Sequence, residues 1–527
     1  MNSCNGWEQG LTGQIDFSTE YCYIEKPQYA CFQSIFDGLL DFSSLDQCDI
    51  KDLNEYRNDL INKWFYTNFQ NQVSEERMQM LEDGKVNVLG FPNTALYTQQ
   101  DRYPTGMAKR LVNRTQFLEN VEQGKQQNIE VMLDLQNMDM VYNLQRNETL
   151  VNERIKKQSK DSMSDNIIII YIDDLSRVQA HRKLKETLKF FDKYAIKTGM
   201  SDKKKQKIYD LGKRVFEFYR FHVVGQQTQP ILFRLAYGIK LQKQKHKPPE
   251  NKKDMIFQHF KDMGYIVGFS SNTCTLWCLH RSKIMRNDVN ESPPDHEYYS
   301  TVFDPTYTDP KDYFSIFQGP NSIYRRCLYG YDTNYHVLNY GYQFMQTYKN
   351  DKKVLYLEFT DSHELTDEVV KYLDTNLRNF LDDLENNNHI SKKTTIYLVS
   401  DHGQHLKRIV YFTDLIRKRF EQERSLPALF ILQTTDVFEQ NKQLEFNLQK
   451  NEQALFSVEQ LRNTWITNVQ SMEKINNDIA KNNEQDQLFG KMDLYKQCSD
   501  LDLEDKPSDH LCQCFEDLEQ MEILNNM

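Results

Sequence analysis

The chain of 527 residues is long enough for one large domain or several small ones, at about 100–200 residues per domain. Its 39% hydrophobic and 27% charged residues are typical of a globular protein, and 31 Phe and 30 Tyr can build a core despite the mean hydropathy of -0.73. With only 19 Gly and 13 Pro, collagen-like and Pro-rich architectures are excluded. The net charge of -11 argues against a nucleic-acid partner, because general binding to phosphate backbones needs a positive field.

Ten cysteines fall in three groups, two of which lie near the ends of the chain. This clustering predicts terminal segments held by disulfides, and hence an oxidising compartment. The alternative is a reduced protein with scattered buried thiols. The spacings within the groups do not match the paired two-residue spacing of structural zinc sites. The groups are Cys4, Cys22, Cys31 and Cys48; Cys274, Cys278 and Cys327; and Cys498, Cys512 and Cys514.

No targeting segment is visible in the sequence. The first ten residues lack the basic and apolar regions of a signal peptide, and the longest apolar run, 167–172, is far shorter than the about 20 residues that cross a bilayer. This conflicts with the compartment that the cysteines predict. Two alternatives stay open, namely a protein whose signal or anchor lies outside this chain and a protein that is soluble inside the cell.

Strand and helix patterns alternate after a polar N-terminal region. Residues 1–160 are Cys-rich and Asn/Gln-rich, residues 161–435 form the predicted core with the site, and 436–527 continue the same domain with helices and cysteines. The alternation predicts an α/β fold with a central, mainly parallel sheet. The predicted strands are 167–172, 264–269, 353–359, 394–399 and 427–433, and the predicted helices include 181–196, 255–263, 369–384 and one that begins near Pro230.

Metal-binding residue types directly follow three of the predicted strands. Ligands of parallel sheets lie beyond the carboxyl ends of the strands, so we expect these side chains to meet. Carboxylate and imidazole are ligands of zinc and related ions, whereas the ordinary alternative for each Asp is a helix N-cap. Gly403 is expected to turn the backbone sharply beside them. The residues are Asp173 and Asp174 after 167–172, Asp361 and His363 after 353–359, and Asp401, His402 and His405 after 394–399.

Thr228 is a candidate nucleophile. It lies two residues before Pro230, which suits the first turn of a helix, and a helix N-terminus favours an anionic phosphate or sulfate. The alternative is an ordinary N-cap. As a nucleophile, the hydroxyl would need activation by a bound metal ion.

These pieces, in this order, resemble the alkaline phosphatase/sulfatase superfamily, in which a strand-Asp, a hydroxyl or thiol nucleophile, a His-bearing loop and Asp-His-Gly follow one another. The chain is most similar to the eukaryotic, alkaline-phosphatase-like family of domain of unknown function 229. The likeness covers about residues 160–515. Its motifs include Ile-Asp-x-x-Ser-Arg at 172–177, Phe-Tyr-Arg-Phe-His at 218–222, Thr-Gln-Pro at 228–230, Ser-Asp-His-Gly at 400–403, and Cys498 with Cys512-Gln513-Cys514.

The resemblance implies a three-layer sandwich with a Cys-rich N-terminal extension, and a site for zinc. One ion would be held by Asp173, Thr228, Asp401 and His402, with Thr228 as the catalytic residue. A second ion would use Asp361 and His363, although Gln-Leu-Arg-Asn-Thr at 460–464 departs from the Asp-x-His-x-Thr of relatives. Further candidates are Asp174 and His405 as ligands, and His222, on a strand before the nucleophile, as a substrate-orienting or a buried structural histidine.

The residues around Thr228 restrict the chemistry that the resemblance implies. Residues 228–232 lack both the Cys/Ser and the Arg of the formylglycine sulfatase motif, and threonine does not form formylglycine. The implied function is a metal-dependent phosphoric-ester hydrolase or phospho-group transferase. Its substrate would be a phosphate ester of a glycan or lipid head group, in an extracellular, secretory or membrane-anchored setting, with any membrane anchor outside this chain. The alternatives are an inactive scaffold or binding protein of the same fold, and an intracellular structural protein with free thiols.

Overall fold

The structure is a computed structural model that describes most of the chain from residue 144 onward and several shorter segments before it. None of the helices in this described part is long and apolar enough to cross a membrane. The described residues are 9–15, 18–19, 22–24, 48, 94–98, 129–134, 139–142, 144–225, 227–238, 240, 255–272, 294–299, 326–328, 331–364, 368–404, 421–480, 486–503 and 511–514.

The described strands form one seven-stranded sheet and three small antiparallel sheets. β1 pairs with β2, β10 with β11, and β4 with both β3 and β5, and the remaining strands make the large sheet. The strands are β1 (Ser18–Thr19), β2 (Cys22–Tyr23), β3 (Thr94–Thr98), β4 (Ile129–Asp134), β5 (Asp139–Tyr142), β6 (Asn166–Ile172), β7 (Lys213–Glu217), β8 (Ile266–Ser271), β9 (His296–Tyr299), β10 (Cys327–Leu328), β11 (Tyr331–Asp332), β12 (Lys353–Phe359), β13 (Thr394–Val399) and β14 (Leu429–Thr434).

The large sheet has the order β7-β14-β13-β6-β12-β8-β9. The pairs from β13 to β9 are parallel, whereas β14 runs antiparallel to both of its neighbours. In the register of the central strands, Ile169 lies opposite Tyr356 on one side and Tyr397 on the other. All seven residues of β6 are buried, as its continuous apolar run predicts for a central parallel strand. The prediction of a mainly parallel sheet is confirmed.

Helices cover both faces of this sheet. Leu355 and Leu357 of β12 face Gly341, whereas the ring of Tyr356 lies 5.9 Å from that of Phe257 and 6.2 Å from that of Trp465. Because successive strand residues point to opposite faces, the helices that carry these partners form two outer layers. The helices are α1 (Glu148–Ile155), α2 (Arg177–Lys183), α3 (Lys185–Asp192), α4 (Asp202–Tyr209), α5 (Thr228–Tyr237), α6 (Ile256–Asp262), α7 (Thr333–Thr347), α8 (Lys371–Asn386), α9 (Asp436–Gln440), α10 (Lys442–Asn451), α11 (Val458–Asn468) and α12 (Met472–Ala480), with short 3-10 helices at Asp361–His363 and Cys498–Asp500.

The strand that precedes Thr228 lies earlier in the chain than predicted. It is β7, which ends at Glu217, so the segment 218–222 follows the strand instead of forming it. Charged residues hide β7 in the sequence, because Arg214 and Glu217 are buried although a polar pattern predicts exposure. Burial is tolerated because Arg214 pairs with Glu445, and Glu217 pairs with Arg177 at 2.8 Å.

The predicted helix 181–196 is broken in two at Leu184. There the backbone takes φ -100° and ψ 49°, which ends α2 and begins α3. The carboxylate of Asp374, from α8, accepts hydrogen bonds from the backbone N–H groups of Glu186 and Thr187, both at 2.8 Å. A side chain from another helix thus supplies the N-cap of α3, which local sequence does not reveal.

Disulfides join the two ends of the chain. Cys22 is bonded to Cys514 across 492 residues, with 4.5 Å between the Cα atoms, and Cys498 is bonded to Cys512 with 5.7 Å. Cys48 is also disulfide-bonded. The prediction of terminal disulfides is confirmed for these cysteines, while Cys4, Cys31, Cys274 and Cys278 lie outside the described residues and the side chain of Cys327 is not described.

Candidate metal centre and nucleophile

The three strands followed by carboxylates are the three central neighbours of the sheet, in the order β13, β6 and β12. Ile172, the last residue of β6, lies opposite Phe359, the last residue of β12, and Val399 of β13 lies opposite Tyr171. The three carboxyl ends therefore lie side by side at one edge of the sheet. This alignment brings the loops after residues 172, 359 and 399 together, in the position where parallel sheets bind ligands.

None of Asp173, Asp174 and Thr228 is a helix cap. The N-cap of α2 is Ser176, whose side chain accepts from the N–H of Gln179 at 3.0 Å, so neither Asp173 nor Asp174 serves that role. Thr228 is the first residue of α5, and the N-cap position before it belongs to Gln227. Because other residues occupy the N-cap positions, helix capping does not explain the contacts of Asp173, Asp174 and Thr228.

Asp173, Asp401 and His402 form a buried group whose ligand atoms all lie within 4.8 Å of one another. The Oδ2 atom of Asp401 is 3.2 Å from Nε2 of His402. The half-buried Thr228 completes the group, because its Oγ1 lies 3.3 Å from Oδ1 of Asp173 and 3.0 Å from Nε2 of His402. The four residues expected around one ion thus meet, three from adjacent strand ends and one from the start of α5.

The electrostatics of this group favour a cation. Burial, followed by the negative charges of Asp401 and Asp174, raises the pKa of Asp173 well above its usual value. Burial alone would lower the pKa of His402, but Asp401 and Asp174 raise it to about 9. The Oδ2 atoms of Asp173 and Asp401 are buried without a hydrogen-bond donor. Two buried neighbouring carboxylates, each with an oxygen that accepts no hydrogen bond, fit a divalent cation, because the cation would compensate their negative charge.

Asp174 lies on the opposite side of the His402 ring from this group. Its Oδ1 is 2.8 Å from Nδ1 of His402, whereas Oδ2 of Asp401 and Oγ1 of Thr228 lie near Nε2. The sequence predicts Asp174 as an additional ligand. In the structure Asp174 contacts Nδ1 of His402 and is not a member of the group of Asp173, Asp401 and His402.

Gly403 fits the site for a different reason from the predicted one. Its φ is not in the left-handed region, so no sharp turn requires glycine. A Cβ at this position would lie 2.8 Å from the carbonyl carbon of Glu423, closer still to its oxygen, and 2.9 Å from Cβ of Ser176. Glycine is therefore required by the close approach of two neighbouring segments to the loop that carries His402.

The predicted second-ion residues do not join the group. Both carboxylate oxygens of Asp361 accept from amides, with 2.6 Å to Nδ2 of Asn272 and 2.7 Å to Nδ2 of Asn334. Burial raises the pKa of Asp361 to about 6 although both amides lower it. His363 is half-buried in the short 3-10 helix, and within the described residues no metal-ligand group contains it. His405 lies outside the described residues.

Both ring nitrogens of His222 are hydrogen-bonded to the main chain. Its Nδ1 donates to the carbonyl oxygen of Arg220 at 2.9 Å, and Nε2 accepts from the N–H of Gln513 at 3.2 Å. Burial lowers its pKa to about 4. These contacts favour the buried structural histidine over a substrate-orienting one. His222 also clusters with Cys512 and Cys514, but disulfides occupy both sulfurs, so this cluster is no metal site.

Sequence reasoning missed the residues that support the site. Ser400 accepts from the N–H of Leu175 at 2.9 Å and contacts the His402 carbonyl oxygen at 2.8 Å, which fixes the loop after β13 to the loop after β6. Its position beside Asp401 in the sequence was the available signal. Asn272 and Asn334 come from the end of β8 and the start of α7, and nothing local links them to Asp361.

Comparisons with known proteins give a family and a set of distant structures. The family model described as "Protein of unknown function (DUF229)" matches residues 206–523, and no curated protein matches the chain. The C-terminal periplasmic domain of EcEptC from Escherichia coli is similar at 11% identity, covering 67% of this chain and 97% of that one, with a TM-score of 0.39. Lipooligosaccharide phosphoethanolamine transferase A from Neisseria meningitidis is 13% identical, with coverages of 67% and 60% and a TM-score of 0.35.

A third structure, a protein in the alkaline phosphatase superfamily from Vibrio parahaemolyticus, is 14% identical, with coverages of 55% and 66% and a TM-score of 0.32. Likenesses of this distance do not indicate an activity. The family match differs from these likenesses, because it spans more than half of the chain. The chain therefore belongs to the DUF229 family.

Proposed function

We propose that the protein is a zinc-dependent enzyme that hydrolyses or transfers phosphoric esters, with Thr228 as its nucleophile. The observation that carries the proposal is the hydroxyl of Thr228, which lies 3.0 Å from Nε2 of His402 and 3.3 Å from Oδ1 of Asp173 instead of capping its helix. A threonine hydroxyl is a weak nucleophile alone, and a buried carboxylate–imidazole group beside it supplies the setting for activation.

One metal ion fits the residues best. Asp173, Asp401 and His402 would hold it together with Oγ1 of Thr228. A bound divalent ion would lower the pKa of the hydroxyl and stabilise the charge on a phosphoryl oxygen. A second ion is not part of the proposal, because both oxygens of Asp361 already accept amide hydrogens.

The residues of the chain itself would bind and orient the phosphoryl group. The hydroxyl of Thr228 donates to Oδ1 of Asp173, which directs its remaining lone pairs away from that carboxylate. The N-terminus of the ten-residue helix α5 presents backbone N–H groups and a positive dipole end, which favour an anionic phosphoryl group at Thr228. Oγ1 of Thr228 would bond to phosphorus as the ester phosphorus–oxygen bond breaks, and the leaving alcohol would take up the proton that Thr228 gives up. Water or a second alcohol would then attack the phosphothreonine, and its proton would return to Oγ1 as the bond between Oγ1 and phosphorus breaks.

The substrate class and setting follow from the resemblance and the cysteines. We propose a phosphate ester of a glycan or lipid head group as substrate, and an extracellular, secretory or membrane-anchored location. The two described disulfides support an oxidising compartment, since such bonds are rare in reducing ones. Formylglycine-type sulfatase chemistry is excluded because a threonine occupies the nucleophile position.

An inactive scaffold of the same fold is the second candidate. The hydrogen bonds from two amides to Asp361 favour an inactive scaffold, because a protein without catalytic activity can use former ligand residues for structural contacts. The contacts of the Thr228 hydroxyl with Asp173 and His402 favour an active enzyme.

The proposal is tested by hydrolysis of aryl phosphate monoesters and diesters with added Zn²⁺. We expect turnover by the wild type, loss to the background rate in Thr228→Ala, and partial activity in Thr228→Ser, which keeps a hydroxyl. Thr464→Ala is the matched control, because Thr464 is a buried threonine whose hydroxyl donates to the Gln460 carbonyl oxygen within α11. Wild-type rates in Thr228→Ala, or no turnover by the wild type with any divalent ion, would refute the proposal.

A further inference from the structure

Asp174 has an unusual backbone for a residue other than glycine. Its φ is 68°, in the left-handed region, and its side chain is 2% exposed. Non-glycine residues in this region are uncommon, although Asp and Asn tolerate it better than most. A strained conformation persists only where surrounding contacts determine it, and such residues concentrate at functional sites.

The contacts of Asp174 connect all three central strand ends. Asp174 itself follows β6, and its N–H donates to Oδ1 of Asp401, after β13, at 3.3 Å. Its carbonyl oxygen accepts from the hydroxyl of Ser362, after β12, at 3.2 Å. The left-handed turn therefore directs the N–H and the carbonyl group to the two neighbouring strand ends at once.

The side chain of Asp174 determines which nitrogen of His402 carries a proton. Nδ1 of His402 lies 2.8 Å from Oδ1 of Asp174 and 2.9 Å from the carbonyl oxygen of Gly403. The carbonyl oxygen of Gly403 has no hydrogen to give, so Nδ1 must be the donor in this contact. Nδ1 therefore carries a proton, and Nε2 is the nitrogen that could bind a metal ion beside Asp401 and Thr228.

We propose that Asp174 is the positioning residue of the metal centre. It holds the His402 ring with Nδ1 protonated and Nε2 directed at the group of Asp173, Asp401 and Thr228, and its left-handed backbone keeps the three strand ends in register before any ion binds. This inference rests on the proposed metal site, and it gives Asp174 a role different from that of a ligand. Carboxylates that orient a ligand histidine commonly raise metal affinity by about 10–100-fold.

Two substitutions distinguish the effect of the Asp174 carboxylate from the effect of its left-handed backbone. Asp174→Asn keeps the size and the tolerance of a positive φ, but its amide can donate to Nδ1 and so favour the wrong tautomer. Asp174→Gly removes the carboxylate and relieves the backbone, because glycine adopts φ 68° without strain. A weakened site in Asp174→Gly is therefore not attributable to a backbone that fails to fold.

The experiment measures zinc affinity by competition with a chromophoric chelator, together with the visible spectrum of the Co²⁺-loaded protein. We expect about 10–100-fold weaker zinc binding and an altered Co²⁺ spectrum in both Asp174 variants. The control is Asp374→Asn, since Asp374 is also a buried aspartate that accepts two hydrogen bonds, from the N–H groups of Glu186 and Thr187. It should lose stability but bind zinc like the wild type.

The outcomes distinguish the inference from the proposed function. Wild-type zinc affinity and spectrum in Asp174→Asn and Asp174→Gly would overturn the positioning role while leaving the metal site intact. An equal loss of affinity in Asp374→Asn would overturn it as well, because general destabilisation would then explain the effect. A wild-type protein that binds neither Zn²⁺ nor Co²⁺ would overturn both the inference and the function on which it rests.

Discussion

Gly403→Ala should damage the metal centre without touching any ligand. The added Cβ would lie 2.8 Å from the carbonyl carbon of Glu423 and 2.9 Å from Cβ of Ser176. Carbon atoms pack at about 3.5–4.0 Å, so a displacement of about 1 Å is needed. The displacement must come from the backbone, because one of the obstructing groups is itself main chain.

The segment opposite Gly403 is held in place. The carboxylate of Glu423 accepts from Nη1 of Arg182 at 3.0 Å and from the hydroxyl of Ser176 at 3.2 Å. The N–H of Gly403 donates to the carbonyl oxygen of Arg424 at 3.0 Å. With Glu423 fixed, we expect the loop of His402 to move instead. A misplacement of about 1 Å can cost about 100-fold in rate.

The assay compares the zinc concentration for half-maximal activity, the rate at saturating zinc and the free energy of unfolding in denaturant. Gly341→Ala is the control, because its Cβ would lie 2.8 Å from Cδ2 of Leu357, a side-chain end that can shift. Both variants should lose about 1–3 kcal/mol of stability, but only Gly403→Ala should lose zinc affinity and rate. Equal zinc affinity and rate in Gly403→Ala and the wild type would refute the reasoning.

Two further predictions concern stability. Burial lowers the pKa of Lys353 to about 7, whereas its value in the unfolded chain is 10.5. Between these two pH values the unfolded chain binds more protons than the folded protein. The free energy of unfolding should therefore rise with pH, by at most about 1.4 kcal/mol per pH unit. Lys353→Met should lack this part of the slope in denaturant unfolding at pH 7, 8 and 9, and identical slopes would contradict the prediction. Replacing Cys22 and Cys514 together by Ser should lower the free energy of unfolding by about 2–5 kcal/mol. Zinc binding should not weaken, because neither cysteine belongs to the group of Asp173, Asp401 and His402. A zinc affinity that falls together with stability would contradict this prediction.

Local sequence patterns predict the central sheet and the acidic residues at its strand ends, whereas the four residues of the proposed centre are what the resemblance to the alkaline phosphatase/sulfatase superfamily implies. The apolar run before Asp173 defines a buried strand, and the order of parallel strands then brings Asp173 and Asp401 to one edge. The contacts that set the details are long-range. Asn272 contacts Asp361 across 89 residues, and burial of the charged strand β7 is tolerated because Arg177 pairs with Glu217 and Arg214 pairs with Glu445.

The role proposed for Asp174 has no signal in the sequence beyond its position beside Asp173. Its left-handed backbone and its contact with Nδ1 of His402 depend on three loops that meet only in the folded chain. A pair of adjacent acids after a strand is equally compatible with two ligands or with one ligand and one partner of a ligand. In the structure, Nδ1 of His402 faces Asp174 and Nε2 lies near Asp401, which supports the second arrangement.

Metal content tests the central claim most directly. Elemental analysis of the purified protein, after exposure to zinc and removal of excess ion, should find about one zinc ion per chain in the wild type and almost none in Asp401→Ala. Asp401 is chosen because its Oδ2 lies within the group and has no hydrogen-bond donor. A metal-free wild type, or equal zinc in Asp401→Ala, would contradict a metal centre built on Asp173, Thr228, Asp401 and His402.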